Sequence, residues 1–223
     1  GKVLDDGTVA RIGEDRYRIT AADPCYRWFG LNASGLDVSI EDVSDGTAAL
    51  ALQGRLSRDV LERATGTDWS DVRYFGRRMS EIAGVPVDVT RTGYMGDLGY
   101  ELWMGNDGAL AVWDHLFEVG QAYGIQAAGI HALDVCRVEA GLILIEAEYT
   151  SARHAVAPEQ QYSPFELGLG RLVNFNKAAD FNGRRALLRE QQAGGPARRL
   201  VGVELDWAGI EGMYAKHGLA PAI

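Results

Sequence analysis

Arg91-Thr92-Gly93-Tyr94-Met95-Gly96-Asp97-Leu98-Gly99-Tyr100-Glu101-Leu102 is the stretch on which the reading of this chain turns. Gly93, Gly96 and Gly99 recur at every third position, interleaved with Tyr94 and followed by Tyr100. A turn built this way lets backbone approach a ligand closely, because no Cβ stands in the way. Residues 100–104 read as the strand after it and 85–91 as the strand before it. Glu101 beside Tyr100 pairs a carboxylate with a flat aromatic. That pairing suits a heterocycle with an amino-amidine edge: the carboxylate accepts two N–H bonds while a ring stacks on its face. Spacing alone is equally consistent with an ordinary glycine-rich hairpin turn.

Working outward, 8–20 reads as a hairpin and 48–52 as a further strand; 38–40 fits another. A short helix over 57–64 turns Val60, Leu61 and Ala64 inward and stops at Gly66. Leu110, Trp113, Leu116, Phe117, Gly120 and Tyr123 keep the helical period over 109–123, with Asp107 as N-cap. A second long helix is expected from 131 to about 145, with Gly141 a weak point, and a short one over 183–192 ending at Gly194-Gly195-Pro196. Residues 199–205 alternate like a strand. Strands and helices are interspersed without regular βαβα alternation, which predicts an α+β fold with antiparallel sheets covered on one face.

The 223 residues carry 22 Lys and Arg against 31 Asp and Glu, a net charge of −9. Such a surface repels phosphate backbones, so no nucleic-acid partner is expected. The longest apolar run, 141–145, is far too short for a bilayer span, so no membrane association is expected either. No basic segment followed by an apolar core opens the chain, although its first residue is Gly1 and not Met; a cytoplasmic location is expected. Cys25 and Cys136 are read as buried, inert thiols in a reducing compartment. Phosphate loops, dinucleotide fingerprints, CxxC pairs, HExxH and nucleophile elbows are missing from the sequence. His115, His131, His154 and His217 lack metal-ligand spacing, so no metal site is expected. One other place carries chemistry: Asp5 and Asp6 are adjacent carboxylates that repel one another, an arrangement suited to proton handling, or else to a solvated turn.

The segment 91–102 resembles the RTGYTGExGYEL signature of the aminomethyltransferase family, which includes the T-protein of the glycine cleavage system and related folate-dependent demethylases. Ala49-Leu50-Ala51-Leu52-Gln53-Gly54 resembles that family's strand and QGP turn, with Arg55 in place of Pro. Gly129-Ile130-His131-Ala132-Leu133-Asp134-Val135-Cys136-Arg137-Val138-Glu139-Ala140-Gly141 resembles its G-AARD-LRLEAG helix. Ser163-Pro164-Phe165-Glu166-Leu167-Gly168-Leu169-Gly170 and Phe181-Asn182-Gly183-Arg184-Arg185-Ala186-Leu187 resemble its TPxExGLG and FIGxxAL segments. These landmarks stand in family order over about 36–190.

The resemblance implies a T-protein-like folate-binding fold. One α+β lobe would comprise 1–35 with 126–197, a second would comprise 36–125, and 198–223 would begin a C-terminal β-barrel. A piece preceding Gly1 and most of the barrel would lie outside this sequence. It further implies a tetrahydrofolate-dependent one-carbon transferase, moving an aminomethyl or methyl group from an amine or methylated donor, or from a lipoyl carrier protein. By resemblance, Asp6 is the catalytic aspartate of the family's G-x-V-x-D-D run, Glu101 the pterin anchor and Tyr94 a pocket wall. Ala22, Phe75, Pro86 and Leu133 stand where the family carries asparagine, tyrosine, an acid and arginine. Losing that arginine removes a fixed cation and its fork of donors. Two readings follow: a tetrahydrofolate-dependent one-carbon transferase, acting on the glycine-cleavage donor or on a different O-, S- or N-methyl donor, or a non-catalytic folate-binding or scaffold subunit.

Overall fold

A computed structural model describes residues 1–220 of the chain. The polypeptide divides into two compact units, one of Gly1–Asp6 together with Tyr149 onward, the other of Gly7–Glu148.

The larger unit opens with β1 (Gly7–Arg11) and β2 (Tyr17–Ala21), an antiparallel hairpin with Val9 opposite Ile19. α1 (Tyr26–Asn32) follows, its first turn capped by Cys25, whose sulfur accepts from the Trp28 N–H. The expected strand at 38–40 does not form; those residues have no strand partner among the described residues. A four-stranded antiparallel sheet then assembles from β3 (Thr47–Gln53), β4 (Arg77–Ile82), β5 (Val85–Thr90) and β6 (Gly99–Gly105), in the order β3-β6-β5-β4.

Strand periodicity gives this sheet two unlike faces. Leu52, Val87, Val89, Tyr100, Leu102 and Met104 enter the core, against α2 (Ser57–Thr65) and α3 (Ala109–Gly120). Val60, Leu61, Val112 and Leu116 supply the helical side of that core. Trp69 and Tyr100, both fully buried, meet edge to face at 6.1 Å, a contact worth about 1 kcal/mol beyond area burial. Gly66 ends α2 in the left-handed conformation that a Cβ disfavours. α4 (Ile130–Glu139) is shorter than expected, because Gly141, at φ 70°, turns the chain out of the helix.

The smaller unit is mostly irregular. Val3, Tyr149, Leu167 and Leu187 are buried in it, and α5 (Arg184–Gln192) is its first α-helix. Residues 199–205, expected as a strand, form none among the described residues. α6 (Trp207–Lys216) follows, capped by the Asp206 carboxylate on the Gly209 N–H at 3.0 Å. Of the segment expected to begin a barrel, 221–223 lie outside the described residues. Cys25 and Cys136 are half-buried, not buried as expected: Cys25 caps the start of α1, which buries no residue, and Cys136 lies on α4, where Arg137 is the buried residue. No described helix is long and apolar enough to cross a membrane. The class is α+β with antiparallel sheets.

Candidate functional site

Glu101 is the third residue of β6, opposite Ala51 on β3 and Thr90 on β5. Its side chain therefore stands on the face of the sheet turned away from the helices, together with Trp103, Ala49, Asp88 and Thr90. The carboxylate is held on one side: Oε2 accepts from the Thr92 hydroxyl at 2.6 Å and, at 3.4 Å, from that of Thr90. The two threonine hydroxyls are 2.9 Å apart, and the Trp103 indole N–H donates to Thr90 at 3.3 Å. Among the described residues, Oε1 of Glu101 accepts no hydrogen bond. Ala49 and Ala51 are exposed and carry nothing beyond Cβ, so the sheet beside the carboxylate is flat.

The expected partnership of Glu101 with Tyr100 is not formed. Adjacent strand residues point to opposite faces, and Tyr100 is fully buried in the core. Trp103 is the aromatic that shares Glu101's face. Its ring is covered by the Arg18 guanidinium at 4.3 Å, and Arg18 also pairs with Asp88 at 2.8 Å. Arg77 reaches the other Asp88 oxygen, also at 2.8 Å.

The glycine-rich turn is locked by Gln53. Its amide nitrogen donates to the Thr92 and Tyr100 carbonyls at 3.3 and 3.2 Å. The Gly54 N–H and the Ser57 hydroxyl both reach the Leu98 carbonyl. Gly96 takes φ 76° and passes over Ala140, where an added Cβ would lie 2.5 Å from the alanine Cβ. Tyr94 leaves this turn half-buried, its hydroxyl donating to the Ile143 carbonyl. The 142–148 segment that presents Ile143 is organised by Arg137, only 5% exposed, which reaches Glu148 at 2.7 Å, Asp134 at 2.9 Å and the Leu142 carbonyl at 3.2 Å. Hydrogen bonding to Glu148 raises the Arg137 pKa above its ordinary value, against the opposing effect of burial.

Asp6 belongs to the smaller unit, Glu101 and Tyr94 to the larger. Asp6 is half-buried; its N–H donates to the Asp5 carboxylate at 2.8 Å, and its own Oδ1 accepts from the Tyr149 hydroxyl. Sequence reading missed Thr90, Thr92 and Tyr149: Thr90 meets Glu101 through cross-strand register, Thr92 from the loop after β5, and Tyr149 meets a partner 143 positions away. Phe75, expected to stand at a pocket position, sits at φ 62° and stacks its exposed ring on Tyr74 at 4.3 Å. No cluster of three or more potential metal ligands occurs among the described residues.

Comparison with known proteins places the sequence and the fold. The sequence profile of the GCVT N-terminal domain matches residues 1–177. A trimethylamine-oxide aldolase of Ruegeria pomeroyi is 38% identical over 218 residues, covering 92% of this chain and 26% of that protein. An aminomethyltransferase of Caldanaerobacter subterraneus is 36% identical over 215 residues, covering 94% of this chain and 54% of that protein. The chain thus spans about a quarter of the first relative and about half of the second. Among solved structures, glycine cleavage system aminomethyltransferase T from Bartonella henselae matches with a TM-score of 0.71 and 26% identity, over 89% of this chain and 51% of that one. A profile match over most of the residues, relatives above 30% identity across nearly the whole chain and a shared α+β fold agree: the chain belongs to the GCVT N-terminal domain family.

Proposed function

We propose that this chain is part of a tetrahydrofolate-dependent one-carbon transferase, passing an aminomethyl or methyl group from an amine or methylated donor to tetrahydrofolate. The observation that supports it most is the Glu101 carboxylate, oriented by Thr92 and Thr90 on a flat strip of sheet just after the glycine-rich turn. The donor set fits a reduced pterin. A carboxylate with one unengaged oxygen matches an amino-amidine edge, and the small side chains of Ala49 and Ala51 leave room for a planar ring. Glu101 would hold that edge, with Tyr94 as a wall.

Tetrahydrofolate, when bound, supplies the nucleophilic nitrogen that receives the one-carbon unit. Asp6 takes the part of the proton-handling group, its carboxylate engaged at Oδ1. The lobes that the resemblance implies, 1–35 with 126–197, 36–125 and 198–223, belong to the same proposal.

Ala22 and Leu133 replace polar side chains of the family pattern, which favours a donor other than that of the glycine cleavage system. Donor candidates are methylated amines and their N-oxides, other N-, O- or S-methyl compounds, and a lipoyl carrier protein. The same two positions support the second reading, a folate-binding or scaffold subunit without catalysis. A screen of these donors with tetrahydrofolate, following methylene- and methyl-tetrahydrofolate, separates the two. Product from one donor, lost in Asp6→Asn, establishes the transferase. Tetrahydrofolate binding without product from any donor establishes the scaffold.

A further inference from the structure

We infer that Tyr149 is a positioning residue for Asp6, its hydroxyl holding one carboxylate oxygen and leaving the other for a ligand proton. The inference rests on the proton-handling role proposed for Asp6. Tyr149 is 2% exposed, and its hydroxyl donates to Asp6 Oδ1. Among the described residues, Oδ2 of Asp6 accepts no hydrogen bond.

The backbone leading to Asp6 is secured separately. The Val3 N–H donates to the Tyr162 carbonyl at 2.8 Å, the Ala152 N–H donates to the Val3 carbonyl at 3.0 Å, and the Ser151 hydroxyl donates to the Leu4 carbonyl. These staples set where the irregular segment carrying Asp6 runs and leave its side-chain torsion unspecified. An aspartate side chain has three staggered χ1 wells, and partial exposure lets it sample them. A buried phenol is stiff, with two torsions, and its hydroxyl needs a partner. Donation to Oδ1 therefore selects one rotamer and decides which oxygen remains available. The work is divided: main-chain bonds place the residue, and Tyr149 aims the carboxylate.

Carboxyl and tyrosine-ring carbon resonances of the full chain at neutral pH test the contact without any ligand. Tyr149→Phe keeps the ring and removes one oxygen; the Asp6 carboxyl resonance, identified by its absence in Asp6→Ala, is expected to shift. Reciprocally, the Tyr149 ring carbon bearing oxygen is expected to shift in Asp6→Ala, which decides the matter even if Tyr149→Phe does not fold. In turnover with tetrahydrofolate and a donor found by the screen, Tyr149→Phe is expected to lower kcat about tenfold with KM for tetrahydrofolate unchanged. In the Asp6→Ala background the same change is expected to have no further effect. Unmoved resonances in both variants overturn the inference, as does an equal kcat loss in both backgrounds, which a merely structural role would give. Turnover at the wild-type rate by Asp6→Ala overturns the proton-handling reading and the functional half of this inference with it; resonances that still report the contact mark that case.

Discussion

The side-chain oxygen of Gln53 lies 1.8 Å from where a Cβ on Gly99 would stand, and 1.9 Å from that of Gly93. A side chain on either of the two glycines that open and close the signature turn would have to displace the glutamine amide beneath them. Neither has a positive φ, so the conflict is steric and not conformational.

Gly99→Ala is therefore expected to expel the Gln53 amide and break its bonds to the Thr92 and Tyr100 carbonyls, costing about 2–3 kcal/mol. Gln53→Ala costs about 1–2 kcal/mol through the two carbonyls left unsatisfied. The double variant is expected to be more stable than the sum of the two, because the clash has gone. Urea denaturation of the four proteins checks this; simple additivity contradicts it.

Asp88, 7% exposed, neutralises two arginines at once. Asp88→Asn leaves Arg18 and Arg77 facing each other without a counter-charge and is expected to cost about 3 kcal/mol. Arg77→Met is expected to cost less, since Arg18 still pairs with the carboxylate and Arg77 is the more exposed of the two. Equal losses in chemical denaturation would contradict this ordering.

The pH response of the smaller unit follows from Glu166. Burial pushes its carboxyl upward, but the Arg198 hydrogen bond, the Ser163 N–H and the charge of Lys2 carry it below the ordinary value. A depressed carboxylate contributes stability above its unfolded pKa and loses it as pH falls through the folded one, so the loss is expected below roughly pH 4. Glu166→Gln is expected to flatten the acid limb of a plot of denaturation midpoint against pH. An unchanged acid limb would contradict the assignment.

Much of this architecture is legible in the sequence. Alternation finds the hairpin and three strands of the sheet, and the helical period finds α2, α3 and α5. β4 escapes because its core-facing side carries Arg78 and Ser80; Arg78 lies over the Trp69 ring at 5.1 Å instead of a hydrophobe filling the place. α6 escapes because Gly209 and Gly212 interrupt any apolar stripe. Residues 199–205 alternate convincingly, yet alternation does not supply a neighbouring strand. At the site, the signature points to Glu101 and Tyr94. Of the threonines that orient Glu101, Thr90 emerges only from the register between β5 and β6 and Thr92 from the loop that follows β5, and Tyr149 only from chain reversal over more than a hundred residues.

The threonine pair has its own test. Thr92→Val keeps shape and removes the donor at 2.6 Å from Glu101. Under the proposed function it is expected to weaken tetrahydrofolate binding about tenfold with little change in stability, about 1.4 kcal/mol of lost orientation. An unaltered affinity in a folded Thr92→Val protein would show that the hydroxyl does not serve the ligand.

The most direct measurement is calorimetric titration of tetrahydrofolate into the wild-type chain and into Glu101→Ala. The account predicts saturable binding to the first and at least tenfold weaker binding to the second, the size of one charge-assisted hydrogen-bonded contact. No binding to the wild type, or the same affinity in both proteins, would contradict it.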